Sequence, residues 1–127
     1  MKNNMVGWFE IPVNDMEKAV DFYEKVFDIK LERHLMGELD MAWFPMIEDG
    51  QGAPGSLVKN PNFYIPSIDG PLIYLTAHSG DLENELARVE PAGGKVVQDK
   101  KQISKEYGFM AVIIDTEGNR VALHSRK

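Results

Sequence analysis

The stretch Trp8-Phe9-Glu10-Ile11-Pro12-Val13-Asn14-Asp15-Met16-Glu17-Lys18-Ala19, continued by Asp21-Phe22-Tyr23, changes its period halfway along, and that change decides the fold. Before Asn14 the residues alternate. Phe9, Ile11 and Val13 share one face and Trp8, Glu10 and Pro12 the other, as in a strand of period two. After Asp15 the apolar positions Ala19, Phe22, Tyr23, Val26 and Phe27 recur at helical spacing. Asp15 supplies an N-cap, and Glu17 favours the positive end of the helix dipole. The segment therefore predicts a strand over residues 6–13 that turns directly into a helix over 16–27.

Working outward, strands are expected over 29–36, 39–46 and 53–58, separated by Gly37 and by Glu48-Asp49-Gly50-Gln51-Gly52. Residues 6–58 thus read as a βαβββ module. Residues 59–70 are rich in Pro, Asn, Ser and Gly and read as a long surface connection. The pattern then restarts. Residues 72–77 form a strand, Asp81 caps a helix carrying Leu82, Leu86 and Val89 on one face, and Pro91 and Gly93-Gly94 end it. Strands over 95–103, 107–115 and 120–125 follow, the last two joined through Thr116-Glu117-Gly118-Asn119, so residues 71–126 form a second βαβββ module. Asp15 and Asp81 lie 66 positions apart, and the same offset lays Met16 on Leu82, Val20 on Leu86 and Tyr23 on Val89. The fold class is α+β, built from a duplicated unit.

The 127 residues suit one domain, 1–127, long enough to bury roughly two thirds of the unfolded surface. The chain contains no cysteine, which excludes disulfides, thiolate zinc sites and a cysteine nucleophile, and favours a reducing, cytoplasmic setting. No apolar run is long enough for a signal peptide or membrane span, so no membrane partner is expected. A net charge of −6 with scattered Lys and Arg argues against a nucleic-acid partner. Walker, Rossmann and G-x-S-x-G motifs and heptad runs are missing, and Asp115 to Gly118 reads as a turn, lacking the alternating acidic ligands of an EF-hand.

The opening stretch quoted above resembles the first signature of the vicinal-oxygen-chelate superfamily, which contains glyoxalases, bleomycin-resistance proteins and extradiol dioxygenases. Asp115-Thr116-Glu117-Gly118-Asn119-Arg120-Val121-Ala122-Leu123 is similar to its terminal-strand signature. The resemblance implies two modules whose sheets form an incomplete curved barrel, with a ligand and, in the enzymes, a divalent metal on the concave side. It also implies that Phe9, Ile11, Val13, Ile73, Leu75 and Ala77 face the helices. Trp8, Glu10, Pro12, Leu72, Tyr74, Thr76, Arg120, Ala122 and His124 then face the cup. The family's metal-ligand positions fall on Trp8, Ser56, Tyr74 and Ala122, which offer no workable first shell, so neither metal nor cofactor is expected. The family's habit of pairing modules across chains implies a homodimer.

His34, His78 and His124 have no ligand spacing and read better as ordinary histidines; Glu10 with His124 and a third donor would be a nonstandard alternative. Glu10 is the candidate catalytic residue, because a carboxylate inside an apolar strand must face water, a partner or a cavity. It serves either as general base or ligand acceptor, or as a structural partner of Arg120, His124 or a Tyr hydroxyl. Trp8, Trp43 and Tyr74 are candidate aromatic walls, with Ser56, Thr76, Arg120 and His124 as polar contacts. Met41, Met46 and Met110 read as core or cavity fillers. The leading reading is a protein that binds, or acts on, a small organic molecule in the cup without metal. The alternatives are a lyase, isomerase or dioxygenase with nonstandard metal ligands, and an interaction or regulatory module whose cup is filled by its own aromatics.

Overall fold

A computed structural model describes residues 3–127. The chain runs β1 (Phe9–Pro12), α1 (Met16–Phe27), β2 (Glu32–Met36), β3 (Leu39–Trp43), β4 (Gly55–Lys59), β5 (Ile73–Thr76), α2 (Leu82–Val89), β6 (Lys95–Ser104), β7 (Gly108–Ile114) and β8 (Arg120–Ser125). Both modules are βαβββ. They make two four-stranded sheets of orders β1-β4-β3-β2 and β5-β8-β7-β6, neither closed into a barrel. In each module the first strand lies parallel to the last, and the other pairings are antiparallel. Parallel pairing requires a crossover, which the helix supplies.

Each helix begins as the sequence predicts. Asp15 accepts from the Lys18 amide and Asp81 from the Glu83 amide. Several strands are shorter than their alternating patterns, whereas β8 matches its expected span and β6 runs one residue beyond it. β3 ends at Trp43, just before Pro45, and Met46 beyond it is exposed where a filler was expected. A proline cannot donate to the ladder, so the strand stops there and Met46 has no sheet to pack on.

One buried cluster draws on both modules: Ile11, Phe22, Tyr23, Val26 and Leu57 from the first, and Leu75, Leu82, Val89, Ile113 and Leu123 from the second. Full burial of each large side chain contributes about 1.5–3 kcal/mol, which makes this cluster the main support of the fold. Polar ties cross the same junction. Tyr23 donates to Asp115 at 2.6 Å, Arg88 Nε donates to the Val26 carbonyl at 2.9 Å, and Asn119 Nδ2 donates to the Pro12 carbonyl at 2.7 Å. The β7–β8 turn also reaches the start of α1, where Glu117 accepts from the Asn14 and Asp15 amides, each at 2.7 Å.

The hydrogen-bond register refines the internal repeat. The Val13 amide donates to Val58 and the Ala77 amide to His124, which makes Val13 and Ala77 equivalent at an offset of 64 positions. The helices remain at 66, because His78-Ser79-Gly80 occupies the turn that Asn14 alone spans in the first module. Tyr74 is therefore the counterpart of Glu10, and Leu72 is the counterpart of Trp8. The resemblance sets Tyr74 beside Trp8 as a first-strand metal position; the longer turn puts Leu72, two residues earlier, opposite Trp8 in the repeat.

Candidate functional site

On β1 the two faces separate as the alternation requires. Ile11 and Val13 are buried toward the helices, whereas Trp8, Glu10 and Pro12 remain partly accessible on the other face. Glu10 is held from two directions. Trp8 Nε1 donates to one carboxylate oxygen at 3.3 Å, and the Tyr64 hydroxyl donates to the other at 2.8 Å. The negative charge raises the Tyr64 phenol above its ordinary pKa, chiefly through this hydrogen bond. Of the partners considered for Glu10, a Tyr hydroxyl is the one present. His124 instead engages the Tyr107 carbonyl through Nε2 at 2.6 Å.

Across the sheet from Glu10 lies Ser56 on β4, and across from Ser56 lies Trp43 on β3. Trp8 meets Trp43 edge-on at 5.6 Å between ring centroids, and the His34 ring lies against Trp43 at 4.0 Å. His34 Nε2 is 2.8 Å from a Glu32 oxygen, close enough to attract an imidazolium but not aligned as a hydrogen bond. Trp8, Glu10, Trp43 and Ser56 thus form one continuous patch with His34 and Tyr64, two residues the sequence reading had not placed in the site. Tyr64 comes from the irregular connection, which carries no periodicity to announce it.

A cavity of about 240 Å³ opens beside Glu10 where the two modules and the connection meet. Pro12, Ile65, Pro71 and Ile73 give it apolar walls, while Glu10 and Arg120 bring opposite charges to its lining. This volume falls below the roughly 300–1,000 Å³ of a drug-sized pocket, so it suits a small molecule or one arm of a larger one. On the second module Tyr74 is 50% exposed, Thr76 is exposed, and neither lines this cavity, nor does His124.

The residues at the family's metal positions do not fit a divalent ion. Trp8 offers a donor N–H and no lone pair, Ala122 offers a methyl group, and Leu72, which takes the place assigned to Tyr74, offers only hydrocarbon. Ser56 alone carries an oxygen. Among the described residues, no group of three or more His, Asp or Glu side chains is placed to hold an ion. No helix among them is long and apolar enough to cross a membrane.

Solved structures of the same architecture are numerous. A glyoxalase/bleomycin-resistance protein from Albidiferax ferrireducens matches with a TM-score of 0.72 at 15% identity, covering 98% of this chain and 100% of that one. Glyoxalase I from Zea mays matches with a TM-score of 0.67 at 18% identity, and there 94% of this chain spans only 45% of the maize protein. The antibiotic-binding protein TnmS3 from a Streptomyces species matches with a TM-score of 0.64 at 25% identity, covering 100% of this chain and 99% of that one. No curated protein sequence matches significantly. The model of the Glyoxalase/Bleomycin resistance protein/Dioxygenase superfamily matches residues 5–123, nearly the full chain, and the chain belongs to that superfamily.

Proposed function

We propose that this protein binds a small organic molecule on the concave face of its first module, using the Glu10 patch and adjoining cavity instead of a chelated ion. The observation that carries the reading is the cavity itself, apolar on most sides and lined by a carboxylate and a guanidinium that can orient a guest. The likeness to TnmS3, an antibiotic-binding protein, supports sequestration over turnover. In this reading the protein works in the cytoplasm as a homodimer, and Glu10 serves as an acceptor for a donor group on the ligand.

The test is a thermal-shift screen with a library of small organic molecules that includes bleomycin, on protein purified without chelators. A ligand at about 100 times its Kd adds about 2.7 kcal/mol to apparent stability, a shift that is easily read. Glu10→Gln is expected to weaken the hit about tenfold with little change in melting temperature. A large loss of stability with affinity intact would make Glu10 a structural residue. A stoichiometric, tightly held metal ion would overturn the metal-free reading, and a monomer mass at all concentrations would overturn the dimer.

A further inference from the structure

Three polar atoms on this face are buried without a hydrogen-bond partner: Ser56 Oγ, Trp43 Nε1 and His34 Nε2. Ser56 is 0% exposed and faces Trp43 directly across the β3–β4 ladder. A buried donor left unpaired costs about 1–3 kcal/mol, so two such donors on cross-strand neighbours are a standing penalty that a suitable acceptor would relieve. Trp8 differs, because its indole N–H already serves Glu10. Only the Trp43 indole remains without an acceptor.

The chemistry of the missing acceptor follows from its neighbours. Indole N–H only donates, and a hydroxyl can donate beside it, so the group they meet carries lone pairs. An anion is disfavoured, because the Glu10 carboxylate sits beside Ser56 on the next strand and the whole chain carries a charge of −6. A neutral carbonyl oxygen satisfies both conditions. The rings around it, Trp8 edge-on to Trp43 and His34 against its face, favour a flat body that can replace one of them in the stack.

We propose that the Trp43 indole N–H and the Ser56 hydroxyl are a donor pair for the carbonyl oxygen of a flat, uncharged organic molecule, admitted when the Trp8 or His34 ring turns aside. This deepens the small-molecule reading of the cup and rests on it. Trp8 is 36% exposed and His34 is partly exposed, so a rotamer change at either requires no rearrangement of the core.

The chain has two tryptophans, so nitrogen-15-labelled protein gives two indole N–H signals, which Trp43→Phe or Trp8→Phe assigns. The probes are coumarin and 2H-chromene, a matched pair that differs in the carbonyl. Coumarin is expected to move the Trp43 indole proton downfield with saturation, and 2H-chromene to bind at least about tenfold more weakly. Ser56→Ala should weaken coumarin about three- to tenfold, as the loss of one neutral hydrogen bond implies. Its melting temperature should hold or rise, because it removes an unsatisfied group. An unmoved Trp43 signal with coumarin, equal binding of the two probes, or unchanged coumarin affinity in Ser56→Ala overturns the proposal. A melting temperature that falls in Ser56→Ala while coumarin moves nothing assigns the donors to an internal water, which also overturns it. If library compounds bind without moving the Trp43 signal, the donor pair fails and the cup reading stands; if none binds, both fail.

Discussion

Tyr23 is fully buried, and its hydroxyl donates to Asp115 at 2.6 Å across the junction of the modules. Burial raises its pKa well above the ordinary value near 10, and the Asp115 charge adds to the shift. A raised folded pKa means that this contribution is fully present below about pH 10 and is lost as pH rises through the folded value. Tyr23→Phe should therefore cost about 1–3 kcal/mol at neutral pH and flatten the alkaline limb of the stability profile, measured by urea unfolding across that limb. An alkaline limb as steep as wild type would show that Tyr23 does not titrate with unfolding. At this scale the sequence was informative where a residue type conflicted with its surroundings. Glu10 stood out as a carboxylate in an apolar strand. Its partner Tyr64 lies 54 positions away in a segment without periodicity, so nothing in the local pattern could pair them.

Among the elements, α1 was legible almost to the residue, because its cap and its apolar spacing agree. What holds α1 against the second module was not legible. Gly94, read only as a helix stop, lies where a Cβ would come within 2.6 Å of a Phe22 ring carbon and 2.8 Å of the Ile114 carbonyl. The glycine thus allows α1 to approach β6 and β7, a close contact that no local pattern encodes. Gly94→Ala should destabilise by about 1–3 kcal/mol through overpacking, seen as a lower denaturant midpoint with an unchanged slope. A midpoint equal to wild type would mean that the Phe22 ring moves aside freely. The strand registers were likewise hidden, since the period-two pattern fixes faces but says nothing about a turn that is two residues longer in one module.

For the molecule as a whole, the mixed core predicts one cooperative unit, because the two helices pack on each other and one buried cluster joins residues of both modules. Cleaving the chain between residues 60 and 70 and separating the halves should leave neither with a cooperative melt. A sharp transition in either isolated half would show two domains. The duplication that made this unit visible in the sequence also has a consequence for counting. In the first module the row across the sheet reads Glu10, Ser56, Trp43; the matching row of the second reads Tyr74, Ala122, Val112. The repeat has kept its backbone and lost its chemical symmetry, since the second row has no carboxylate, no serine hydroxyl and no indole. If the proposed ligand reading holds, titration calorimetry should therefore return one ligand per chain, despite the two four-stranded sheets that each chain carries.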